Sequence, residues 1–102
     1  KKIQKLLVML PGQSHPEQYH MKKKETFHVV FGAVDIALDG LPSVLKTGEV
    51  VTISPEVRHA FSTQDGCVIE EISSTHYVDD SFYTDTTISQ NKNRKTFVKF
   101  WI

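Results

Sequence analysis

The chain has 102 residues, 39% of them hydrophobic and 10% aromatic, enough to fill one modest core and too few for a second domain. Lysine plus arginine and aspartate plus glutamate number 12 each, so the formal net charge of zero gives no summed field that would draw the protein to nucleic acid or an acidic membrane. The lone Cys67 cannot close an internal disulfide and no apolar run approaches the roughly 18 residues of a membrane span, so a soluble, cytoplasmic protein is expected.

Apolar residues do not recur at helical spacing over any long window, whereas short β-rich runs separated by Gly, Pro, Asp or Ser fill the chain. In chain order the expected strands are Leu6–Leu10, Gln18–Met21, Glu25–Phe31, Val34–Leu38, Glu49–Ile53, Arg58–Ser62, Cys67–Ile72 and Thr96–Trp101. Lys22-Lys23-Lys24 reads as a solvated turn. Gly32 reads as a reversal between two strands, and Asp39-Gly40 is the clearest hairpin signal. From Ser73 to Tyr83 the chain is polar with aromatic punctuation, which suits an ordered loop pinned by residues such as Phe82. Thr86 to Lys95 reads as an exposed connector. Many short strands with frequent turns make the fold all-β, a sandwich or barrel of the jelly-roll kind. The absence of Met at position 1 and of a signal-peptide pattern suggests a piece of something longer.

The chemistry concentrates in one stretch. His15, Gln18, His20 and Glu25 fall within eleven residues, and His59 stands in a later strand. Side chains two apart on a strand share a face, so Gln18 and His20 point the same way, and the Met21–Lys24 turn can bring Glu25 to that face. If His59 enters from the opposite sheet, His20, Glu25 and His59 form a set of two imidazoles and one carboxylate. Such a set leaves open positions on non-haem iron or a similar divalent ion, with Gln18 as a candidate fourth ligand. His15 has the opposite strand parity from Gln18 and is expected to point elsewhere. His28 alternates with Phe27 and Val29, which gives it a structural or interface role. Any one of these histidines alone would be read as a hydrogen-bonded surface residue; the joint spacing sets the cluster apart.

These residues resemble a known family. Gly12, five residues, Gln18, one residue, His20, four residues, Glu25, six residues and Gly32 are similar to the first cupin motif in every spacing, with Gln18 where the family usually has a histidine. The second motif is looser: Gly48 and His59 are in place, while Ser54, Glu56 and Thr63 depart from the family's Pro, Gly and Asn. The resemblance implies a single cupin domain over 1–102, a six-stranded double-stranded β-helix barrel or jelly roll, commonly a homodimer. It also implies a metal site built from Gln18, His20, Glu25 and His59. An amide oxygen is a weaker and harder donor than imidazole, so the substitution should tilt preference from zinc toward iron or manganese.

Pro11 to His20, Lys23 to Val29, Glu70 to Ser73 and His76 to Tyr83 resemble cupin modules of sugar metabolism: those at the C-terminus of sialic-acid-synthase-like enzymes, and cupin-type sugar isomerases such as lyxose isomerases. An aldose–ketose isomerase needs a divalent ion to polarise the sugar carbonyl and a group that moves a proton between two carbons. Glu70 and Glu71 are the candidates for that group. Strand alternation sends only one inward, and Glu70 is expected there if Val68 and Ile72 share the pocket-lining face, with Glu71 on an exposed edge. His76, Tyr77 and Tyr83 would contact the sugar. Two alternatives stand beside the isomerase: a non-catalytic sugar-binding or regulatory module, and a non-haem iron dioxygenase using the same facial triad.

Overall fold

The computed structural model describes residues 3–74, 79–84 and 98–101. These residues form nine strands and no helix: β1 (Ile3–Met9), β2 (Ser14–His20), β3 (Glu25–Leu38), β4 (Leu41–Lys46), β5 (Val50–Ile53), β6 (His59–Ser62), β7 (Cys67–Ser73), β8 (Ser81–Tyr83) and β9 (Val98–Trp101). Every pairing is antiparallel. One sheet runs β9-β1-β7-β3-β5 and the other β8-β2-β6-β3-β4, so the long strand β3 belongs to both.

The expected turn at Gly32 is corrected by the structure. Residues 25–38 form one continuous strand whose first half pairs with β5 and β7 and whose second half pairs with β4 and β6. A register shift between Val29 and Phe31 reverses the inward parity: Glu25, Phe27 and Val29 are buried before it, Val34 and Ile36 after it. Gly32 sits at this crossing with φ of 89°, and a Cβ there would lie 2.5 Å from the Gly66 carbonyl oxygen. Its freedom therefore bends a strand from one sheet to the next instead of ending it.

The Asp39-Gly40 hairpin forms as expected, with both residues at positive φ and Leu38 facing Leu41 across a two-residue loop. Its second strand, β4, is not among the expected strands, since Pro42 reads as part of the turn. Pro42 is tolerated because β4 is an edge strand paired only to β3 among the described residues. β2 starts at Ser14, earlier than expected, and accommodates Pro16 at an irregularity in its pairing with β6 between His15 and Gln18. Ser81–Tyr83, expected in a loop, adds a short strand alongside β2. There Phe82 stacks on Tyr19 with ring centroids 5.3 Å apart, the pinning contact expected of it.

Between the sheets, Leu7, Met9, Phe27, Val29, Ile36 and Ile69 form the centre of the core. Each such side chain contributes roughly 1.5–3 kcal/mol by leaving water. The apolar core gives way at one end to buried polar residues, among them His15, His20, Glu25, His59 and Glu71. No helix of the described residues is long and apolar enough to cross a membrane.

Candidate metal centre

Adjacent strands and a short turn bring three side chains to one point. His20 ends β2 and His59 begins β6, next to each other in the same sheet, while Glu25 opens β3 in the facing sheet. The expectation that His59 would come from the sheet opposite His20 is thus corrected: it is Glu25 that crosses over. Nε2 of His20 lies 3.0 Å and Nε2 of His59 3.4 Å from Oε1 of Glu25. One ligand atom from each residue falls within 4.8 Å of the others, and none of the three residues is more than 3% exposed.

Backbone carbonyls orient both imidazoles. His20 donates from Nδ1 to the Asp80 carbonyl at 3.0 Å, and His59 donates from Nδ1 to the Val57 carbonyl at 3.2 Å. A carbonyl can only accept, so Nδ1 carries the proton in each ring, and in the neutral form Nε2 presents a lone pair to the shared space. His20 Nε2, His59 Nε2 and Glu25 Oε1 are all buried without a hydrogen-bond partner. Three electron-rich atoms converging in a dry site repel one another unless a cation lies between them, and two imidazoles with a carboxylate are a donor set for a divalent transition metal. The residues therefore fit a metal ion, with the two carbonyls as the outer partners that fix the ring tautomers.

The electrostatics agree. Burial pushes the Glu25 carboxyl up, but its contacts with His20 and Glu71 and the charge of Lys23 outweigh this and hold it well below the usual carboxylate range. Burial lowers His59, against the pull of Glu25 in the other direction, which favours the neutral ring that a ligand must be. Lys23, expected in a solvated turn, folds its ammonium to within 3.5 Å of Glu25 Oε2.

The turn that links His20 to Glu25 is held from a distance by Asp80. Its carboxylate accepts from the N–H groups of Met21, Lys22 and Lys23 at 3.0, 3.3 and 3.1 Å, while its carbonyl accepts the hydrogen bond from His20 Nδ1. Burial opposes its charge, but the three N–H donors prevail and keep the carboxyl below its ordinary value.

Gln18 and His20 share the inner face of β2, as expected; the Gln18 backbone is in register with His59 on one side and Tyr83 on the other. The Gln18 amide nitrogen lies 3.4 Å from Nε2 of His15. His15 is buried, against expectation, because the irregularity between the two residues resets the parity of the strand. Tyr83 stacks on the His15 ring at 6.4 Å. His76 and Tyr77 lie outside the described residues. His28 faces outward and meets Glu70 at 3.4 Å, in keeping with the structural role expected of it.

The inward placement of Glu70 is overturned. On β7 the buried residues are Cys67, Ile69, Glu71 and Ser73, so Glu70 turns to the outer face, where Gln4 donates to it at 2.6 Å. Glu71 takes the inner position. Burial and the charge of Glu25 raise its carboxyl to about 7, against the opposing pull of Lys5, whose ammonium is 3.4 Å away. A groove of about 560 Å³ crosses β2, β3, β4 and β6 between Ser14, Ala37, Val44 and Ala60; His20, Glu25 and His59 do not line it.

A curled antiparallel sheet around a two-histidine, one-carboxylate cluster is the architecture of a cupin, and the chain belongs to that family: the Cupin domain family model matches residues 5–69. Among curated proteins it is similar to Protein SchB of Streptomyces halstedii, 39% identical over 54 residues, covering 53% of this chain and 39% of that protein. It is also similar to the D-lyxose ketol-isomerase of Thermofilum sp. (strain ex4484_79), 29% identical over 114 residues, covering 84% of this chain and 63% of that enzyme. The chain thus spans less than two thirds of the length of these curated relatives. Among solved structures, a cupin-2 domain containing protein from Shewanella frigidimarina superposes with a TM-score of 0.64 at 25% identity, covering 70% of this chain and 68% of the other.

Proposed function

We propose that this cupin domain binds a divalent metal ion through His20, Glu25 and His59, with Gln18 beside them, and catalyses the interconversion of an aldose and its ketose. The observation that carries the proposal is the position of Glu71, an inward carboxyl in contact with Glu25 at the metal cluster. Likeness to a D-lyxose ketol-isomerase over 84% of the chain supports the substrate class. Held by this cluster, a divalent ion supplies a Lewis acid for the carbonyl and adjacent hydroxyl of an open-chain sugar.

The residues of the chain supply the rest. Glu71 takes the proton from one carbon of the substrate and returns it to the neighbour, the task for which Glu70 was expected. Burial raises the Glu71 carboxyl, which favours a group that both takes and returns a proton. Lys5 holds the Glu71 side chain in place from one side. Tyr83, on the inner face next to Gln18, offers a hydroxyl and a ring to the sugar.

The test is to load the purified chain with manganese(II), iron(II) or zinc(II), incubate it with D-lyxose and other aldoses, and follow the ketose by NMR. Metal-dependent ketose formation that falls by about 10²-fold or more in Glu71→Gln, with the metal still bound, is the expected result. A metal-loaded chain that binds sugars and converts none would be a binding module instead. Oxygen uptake on the iron(II) form would assign it to the dioxygenases.

A further inference from the structure

The cluster brings together three donors, His20, Glu25 and His59, and Gln18 is in register with His59 on the neighbouring strand. Gln18 stands where the family's motif carries a histidine, and an amide can face an ion usefully in only one of its two orientations: Oε1 toward the metal, Nε2 away. Something must select that orientation, because a rotated amide would point two N–H groups at the cation.

His15 is placed to do this. It precedes Gln18 by three positions, which on a regular strand would put the two on opposite faces. The irregularity between them, at Pro16 and Glu17, brings both to the inner face of β2. The His15 ring is buried, set 5.9 Å from the Phe61 ring and 6.4 Å from that of Tyr83. Its Nδ1 lies 3.0 Å from the Pro16 carbonyl, which can only accept, so Nδ1 carries the proton. In the neutral ring Nε2 is then an acceptor, and it faces Nε2 of Gln18 at 3.4 Å. An acceptor at that position calls for the amide NH₂, which leaves Oε1 on the other side of the carboxamide.

Building on the metal site proposed above, we propose that His15 is the positioning residue that makes Gln18 a metal ligand: the carbonyl of Pro16 fixes the His15 tautomer, and His15 fixes the amide. The bulged His15-Pro16-Glu17-Gln18 segment would then be a local device that lets an amide stand in for an imidazole. A histidine at position 18 would not need it.

The experiment is a double-mutant cycle on chelator-stripped protein titrated with cobalt(II), read by calorimetry and by the visible spectrum of the bound ion. His15→Phe keeps a ring against Phe61 and Tyr83 and removes the acceptor. It should weaken cobalt binding by about 10-fold or more, the usual effect of losing an outer partner of a ligand. In the Gln18→His background the same change should alter affinity by less than about 2-fold, so that the double variant is rescued.

If the wild-type chain takes up no cobalt, the metal site itself fails and this inference with it. If it binds cobalt and His15→Phe binds equally well, the site stands and the role of His15 is refuted. Equal weakening in both backgrounds would also refute it, since His15 would then act as a ligand or as packing alone. A measurement on the wild type covers the case in which His15→Phe does not fold: long-range ¹⁵N–¹H NMR of the imidazole should show His15 protonated on Nδ1, and protonation on Nε2 alone would reverse the amide and overturn the proposal.

Discussion

Replacing Glu71 by glutamine isolates the cost of a second carboxylate next to Glu25. In the folded protein burial and the charge of Glu25 lift the Glu71 carboxyl from its ordinary 4.5 to about 7, despite Lys5 at 3.4 Å. A group raised on folding supports the fold fully below its unfolded value and loses that support as pH climbs through the folded value. The window is therefore pH 4.5 to about 7, and the full difference comes to about 3 kcal/mol. Glutamine has nearly the same shape and never ionises. Urea unfolding of metal-free wild type and Glu71→Gln, at pH 5 and again at pH 8, compares the two proteins with every other group held constant. Relative to wild type, the variant should gain up to about 3 kcal/mol between the two conditions, with most of the gain in place by pH 7 to 8. A difference in stability that is the same at both pH values, or that moves the other way, would refute the placement of Glu71 against Glu25.

Gly32→Ala should destabilise the chain by at least about 3 kcal/mol in the same assay, because its Cβ would meet the Gly66 carbonyl oxygen at 2.5 Å at a φ of 89°. Gly40→Ala, at a φ of 82° with nothing within 4 Å, should lose only about 1–2 kcal/mol; equal losses would show that β3 does not pass so close to Gly66. Asp80→Ala strips three N–H groups of the 21–23 turn of their acceptor and should cost about 2–4 kcal/mol by urea unfolding. The cost of Asp80→Ala should also shrink as pH falls, since a carboxyl held below its ordinary value gives support above that value and loses it on acidification. Glu70→Gln, on the outer face, should leave both stability and the proposed isomerisation within about 0.5 kcal/mol of wild type; a large loss of turnover would restore Glu70 to the site.

The legible part of this molecule was the part written in local spacing. Gln18 and His20 share a face by simple alternation, Glu25 follows across a short turn, and the Asp39-Gly40 hairpin announces itself by a residue pair that two-residue hairpin loops favour. What the sequence concealed was any place where a strand breaks its own period. β3 reverses parity after Val29, and β2 does so between His15 and Gln18; neither event leaves more trace than a glycine or a proline. Glu71 was hidden for a related reason. Cys67 and Ile69 on one parity, and Val68 and Ile72 on the other, give β7 two apolar faces, and only its pairing with β1, which sets Ile69 opposite Leu7 and Cys67 opposite Met9, decides between them. Asp80 is 60 residues from the histidine it orients, beyond the reach of any local pattern. Lys23 reads as part of a solvated turn because only the fold of that turn brings its ammonium back to Glu25.

Metal uptake by the stripped chain tests most directly whether His20, Glu25 and His59 form a cation site. Manganese(II) titrated into the protein should bind at one ion per chain and, at 100 times its dissociation constant, stabilise the fold by about 2.7 kcal/mol. His20→Ala and His59→Ala should each remove that binding. Wild-type protein that takes up no manganese, iron or zinc, or variants that bind as well as wild type, would contradict a metal site at these three residues.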